Sequence, residues 1–189
     1  MQFLNVNQVL QKWGKYVVQQ SRSNLTKAKK GYENKLYKSL GYNVLEKKNA
    51  TEVSFTMLDY GKFVDKGVRG KDPSKVSPNA KITGQQAPNS IYRFGSGSAR
   101  GTWDSFVEKM SVWAKSKRLR LRDEKGKFAK GNYEAIGYIV AKNIYSRGIK
   151  PTMFFTKPYE RAFIKYDKDL AIAIGMDMAN EIKKEFNGN

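Results

Sequence analysis

The spacing of apolar residues changes twice along this chain, and that change limits its fold more than any other feature. Near the start, Phe3, Val6, Leu10, Trp13 and Val17 recur at steps of three and four, with Lys12, Lys15 and Arg22 on the other faces. That spacing predicts an amphipathic helix over 3–22. The period then falls to two. Tyr42, Val44 and Glu46 alternate with Asn43, Leu45 and Lys47, and Val53, Phe55 and Met57 share one side of 52–57. Two short strands turning at Asn49 and Ala50 make an antiparallel hairpin the simplest reading. Near the end a helical period returns through Phe163, Leu170, Ile174, Met178, Ile182 and Phe186, with Pro158 in the first turn of a long last helix.

Between these landmarks the punctuation is set by glycine and proline. The basic stretch 27–41 carries Gly31 and Gly41, where the first helix, or a second short one, is expected to end. Asp59 is placed to cap a short helix that buries Tyr60, Phe63 and Val64 and stops at Gly67. Residues 67–101, with Pro73, Pro78 and Pro88 and little periodicity, predict an extended loop or arm, with Tyr92 and Phe94 as anchors near its end. A helix then starts at Thr102 or Asp104, with Phe106, Met110 and Trp113 as its stripe and Val107 and Ala114 beside it. Arg118-Leu119-Arg120-Leu121-Arg122 alternates as a strand with one buried and one cationic face, turning at 123–126. A further helix is expected over 132–147, with Ile136, Ile139, Val140 and Ile144 on one side, stopped by Gly148 and followed by Pro151. The whole predicts a single α+β domain over 1–189: a small, mainly antiparallel sheet packed by an N-terminal helix, central helices and a long C-terminal helix, with the arm inserted at 67–101.

Charge and missing residue types narrow the function. Lys and Arg number 36 against 17 Asp and Glu, a formal net charge of +19. Such a field attracts phosphate backbones, anionic membranes or acidic protein surfaces. The chain has no cysteine and no histidine. Disulfides, thiolate metal sites and histidine-based triads are therefore excluded, and the usual zinc sites lose both preferred ligands. No segment predicts a signal peptide or a membrane helix.

Few motifs carry chemistry. The densest basic stretch holds Lys115, Lys117, Arg118, Arg120, Arg122, Lys125, Lys127 and Lys130, opposed by Asp123 and Glu124. Cations on one strand face can track a phosphate backbone without reading bases, or meet an acidic partner; the bland alternative is a solvated face. Phe128 is the one aromatic inside it, which does not support stacking on single-stranded bases. The glycine-rich run 95–101 lacks the Lys-Ser/Thr of a phosphate-binding loop. Asp65 with Asp72 is a weak magnesium candidate, supported by nothing else. No catalytic residue and no cofactor are expected.

Two segments together carry a resemblance. The first is 52–67, EVSFTMLDYGKFVDKG, a strand followed by a Tyr-Gly-x-Phe-Val-Asp-x-Gly turn and helix. The second is 147–162, RGIKPTMFFTKPYERA, a helix end, an aromatic pair and the start of the last helix. In this order they resemble the tail-completion, or head–tail joining, proteins of tailed phages. The resemblance implies a non-catalytic virion protein of the neck, made in the host cytoplasm and assembled as a ring of six or twelve copies around the DNA channel. Its implied neighbours are portal, adaptor and tail-tube proteins, with non-specific contact to genomic DNA and none to membrane. On this reading Arg69, Lys71, Tyr92, Arg93 and Phe94 belong to an arm that reaches a neighbouring subunit. The alternative is a free protein that binds the DNA backbone non-specifically.

Overall fold

The computed structural model describes residues 3–28, 35–47, 50–75, 84–96, 101–122, 125–128 and 132–187. These form an α+β protein with a long C-terminal helix. Packing divides the chain into two compact units, Met1–Asp65 with Thr152–Asn189, and Lys66–Pro151. The sequence predicts one domain with an arm at 67–101; the second unit runs on well past the end of that arm.

The first unit is built from α1 (Leu4–Lys27), α2 (Lys35–Ser39), the antiparallel pair β1 (Gly41–Lys47) and β2 (Ala50–Thr56), most of α3 (Gly61–Lys66), and, after α4 (Trp103–Ser116) and α5 (Tyr133–Arg147) of the second unit, α6 (Thr156–Asn187). The strands pair antiparallel as expected, with Tyr42 facing Phe55 and Val44 facing Val53. These four side chains point inward, while Asn43, Leu45 and Lys47 are exposed. Asn49, half of the expected turn, lies outside the described residues, and Ala50 already belongs to β2.

Two apolar clusters fill this unit. Val18, Leu25, Leu36, Leu40 and Phe154 form one; Trp13, Val17 and Ala162 form the other. Phe55 and Phe155 pack against both and join them, their ring centroids 5.4 Å apart. Trp13 meets Phe55 edge-on at 5.6 Å, a geometry that the ring quadrupoles favour. Trp13 is therefore a core residue. Gly14, beside it, lets the ring of Tyr42 lie on α1: a Cβ at position 14 would stand 2.3 Å from Tyr42 Cδ2.

Two expected faces are corrected here. In α3, Tyr60 and Phe63 are exposed and only Val64 of the expected trio packs against the core. Gly61 and Asp65 take the inner positions of this six-residue helix, which leaves Phe63, and Tyr60 just before it, on the outside. In α6 the buried residues are Pro158, Ala162, Ala173 and Asp177. Of the expected stripe only Leu170 is half-buried; Phe163, Ile174, Met178, Ile182 and Phe186 are exposed. Against the broad face of α1, small residues let two helices approach closely, so the larger apolar side chains are left outside.

The second unit pairs α4 (Trp103–Ser116) with α5 (Tyr133–Arg147). Both helices start on local caps: Thr102 Oγ1 accepts from Ser105 N at 3.2 Å, and Asn132 Oδ1 from Ala135 N at 2.8 Å. Ala114 and Ala141 are fully buried, and a Cβ on Gly137 would stand 2.0 Å from Ser111 Oγ, so small residues set this crossing too. On α5, Ile136 is buried as expected, whereas Ile139 is exposed. A short antiparallel pair, β3 (Val68–Arg69) and β4 (Gly148–Ile149), closes the unit. Gly148 ends α5 at φ +91°, where its missing Cβ leaves room for Val68 O.

The expected extended arm is folded back on its own unit wherever it is described. Gln85 brackets Gly70, accepting from its N–H at 2.7 Å and donating to its carbonyl at 3.1 Å. Gln86 N donates to Arg147 O at 2.9 Å, and Ser90 Oγ to Gly67 O at 2.8 Å. A loop this rich in polar backbone keeps its place by such pairings.

Candidate nucleic-acid interface

The candidate surface begins where α4 runs out. Lys117 N still donates to Trp113 O, Arg118 N to Lys115 O and Leu119 N to Ala114 O, which closes the helix end. Arg118 takes a left-handed φ of +53°, which turns the chain away. The expected strand 118–122 is absent: the backbone is irregular from Leu119 to Leu121, and only Arg122 bridges, to Phe128. The alternation still has its effect. Leu119 and Leu121 are half-buried, while Arg118, Arg120 and Arg122 are exposed. The positive φ at Arg118 commits the chain to a turn before a ladder can form.

Beyond it, Gly126 turns the chain at φ +76°, and Arg122 Nη1 donates to Gly126 O at 2.7 Å. Phe128 is 61% exposed. The Arg122 guanidinium lies 4.5 Å from its ring centre and that of Arg120 5.5 Å. The ring thus holds two cations side by side on the surface by cation–π attraction. Lys115, Lys117, Lys125 and Lys127 are exposed around this turn. Lys115 also lies in the last turn of α4, where a cation complements the helix dipole. Lys130, Asp123 and Glu124 lie outside the described residues. The arrangement can engage oxyanions through several cations.

The residues expected in an inter-subunit arm have neighbours within their own unit. Arg69 N donates to Tyr92 O at 2.8 Å and Phe94 N to Arg69 O at 2.9 Å, while Arg69 also pairs with Gly148. Lys71 N donates to Tyr145 O at 2.9 Å. The Phe94 ring packs on Tyr145 and Phe106 at 5.5 and 6.2 Å. The side chains of Lys71 and Arg93 are exposed, and that of Tyr92 is half-buried.

Two carboxylates do work that the sequence did not assign. Asp65 is buried and caps α6 from a distance: its Oδ1 accepts from Phe155 N at 2.8 Å and Thr156 N at 3.2 Å, and its Oδ2 from the Thr156 hydroxyl. Val64 O accepts from Thr152 N at 3.1 Å and Asp65 O from Met153 N at 2.9 Å. The two segments that carry the phage resemblance are thus bonded to each other. Asp177, 2% exposed, accepts from Asn5 N at 3.0 Å, Asn5 Nδ2 at 2.7 Å and Val6 N at 2.9 Å. Burial pushes its pKa up, but the donors at Val6 and Asn5 outweigh burial and hold it below the ordinary 3.8. Asp72 is bound by Ser74 and lies 3.7 Å from Lys75 Nζ. Among the described residues no group of three or more Asp or Glu could hold a metal ion. No described helix is long and apolar enough to cross a membrane.

Comparison with protein-family models, with curated proteins and with solved structures finds no match for this chain.

Proposed function

We propose that the protein is a non-catalytic structural component of a tailed-phage particle, joining head to tail as a ring of subunits around the DNA channel. The observation that carries this reading is the bonding of segment 52–67 to segment 147–162 through Val64, Asp65, Thr152, Met153, Phe155 and Thr156. Within the first unit, the Val64–Asp65 part of one segment and the Thr152–Thr156 part of the other are direct hydrogen-bond partners, which supports reading the two segments together. The exposed cations from Lys115 to Lys127 suit a protein that stands beside DNA without reading it. Portal, adaptor and tail-tube proteins are the partners this reading names, and the virion neck is the place. The same basic turn favours a second reading, a free protein bound non-specifically to DNA backbone.

Mass in solution separates the two. The purified chain is measured at low and high salt, with and without duplex DNA, and then with isolated portal and tail-tube complexes. Joining to those complexes, or closure into a ring, is the expected result. A monomer or dimer that binds duplex with a steep salt slope and joins no virion part would replace the neck reading with the second one.

A further inference from the structure

The long helix α6 has two faces, and the fold uses one. Ala162, Ala173 and Asp177 are buried on the inner side, with Tyr166 and Leu170 half-buried beside them. The outer side is exposed along its whole length, with Ile164 at 78% and Ile182 at 51%. Along this outer side the exposed apolar residues Ile164, Ala171 and Met178 recur every seven positions, with Ile182 four further on, and Arg161, Lys168 and Glu185 share the stripe. That is the spacing of a seam between packed helices. At its middle stands Gly175, where an added Cβ would meet nothing within 4 Å. Glycine in a helix interior is unfavourable, and no contact among the described residues accounts for it.

We propose that this face pairs with the same face of a second copy, antiparallel, about a two-fold axis near residue 173. The sequence of the seam selects that direction. Reversed against itself, it sets Arg161 opposite Glu185, Ile164 opposite Ile182, Lys168 opposite Met178 and Ala171 opposite Gly175. Each cation meets an acid or an apolar side chain along which a lysine stem can lie. The isoleucines pack in pairs, and the small residues meet where the backbones approach most closely. A parallel pairing stacks Arg161 on Arg161, Lys168 on Lys168 and Glu185 on Glu185, like charges in the same layer. The contact is isologous and closes with two copies. It therefore goes beyond the ring reading and stands independently of it.

The absence of native cysteine makes the test direct. The full chain carrying both Lys168→Cys and Met178→Cys is oxidised mildly, beside each single variant. Within one helix the two positions lie about 15 Å apart, beyond the reach of a disulfide. A covalent dimer from the double variant, with the single variants unlinked, is the expected result. Sedimentation of cysteine-free chains gives the second measurement. Arg161→Glu and Glu185→Arg alone each weaken the dimer by about tenfold, and together they restore it. The positions are exposed, and circular dichroism checks that helix content is unchanged.

Self-linking of a single variant would overturn the proposal by showing a parallel contact. A monomer with no cross-link would overturn it by leaving the face to another partner. A ring that assembles without the 168–178 link would overturn it and leave the neck reading standing. A dimer that links as expected yet joins no virion part would uphold it and remove the neck reading.

Discussion

Two helix starts in the first unit depend on carboxylates far away in sequence. Helix α1 begins after Phe3, which offers no side-chain cap, and Asp177 supplies the missing acceptors from 171 and 172 residues away. Asp65 does the same for α6. Asp177→Ala removes a charge-assisted acceptor and leaves buried N–H groups unpaired, so thermal or urea unfolding is expected to show a loss of about 2–3 kcal/mol. Asp65→Ala is expected to cost a similar amount, about 2–4 kcal/mol, since it also orphans the Thr156 hydroxyl. The pH dependence has a fixed sign. The folded pKa of Asp177 lies below its ordinary 3.8, so its contribution is fully present above that value and is lost as pH falls through the folded pKa. Unfolding measured from about pH 6 down to about pH 2 is expected to show a smaller acid-side loss for Asp177→Asn than for the parent chain; equal losses would remove Asp177 from this role.

At the scale of elements, packing decided what pattern could not. The apolar residues of α6 are visible in the sequence, but they lie on more than one side of the helix, and only contact with α1 selects the side that is buried. The selected side is the one with alanines, because close helix approach gains more packing than large side chains held apart. The basic run after α4 is equally legible as composition. Its alternation predicts a strand, yet a single left-handed residue, Arg118, turns the chain first. Its function has an elemental test. Replacing Arg118, Arg120 and Arg122 together by Gln is expected to weaken duplex binding uniformly across sequences. It should also flatten the salt dependence by about 0.9 for each phosphate no longer neutralised. An unchanged slope, measured by fluorescence anisotropy from low to moderate salt, would assign the turn to an acidic protein instead.

The whole molecule combines an ordinary core with an extreme charge. A net +19 is a property of the surface and does not choose the fold. Within the first unit, the aromatic residues Trp13, Tyr42, Phe55, Phe154 and Phe155 come from α1, the hairpin and the approach to α6, and their meeting makes the core. The chain therefore brings its two ends together in one unit while residues 66–151 form another. The boundary at Asp65 falls inside α3 instead of a linker, and the one at Pro151 falls in the short segment between β4 and α6.

The sequence by itself determined the α+β class, the antiparallel hairpin, most helix limits, the excess of positive charge and the loss of all cysteine and histidine chemistry. Each of these follows from local spacing, local caps or residue counts. Tertiary structure alone decided which face of α6 is buried, that Asp65 and Asp177 are remote caps, that the described parts of 67–101 fold back, and that Arg120 and Arg122 gather on Phe128. These depend on groups distant in sequence meeting in space, where burial and unpaired N–H groups set energies that no local pattern records.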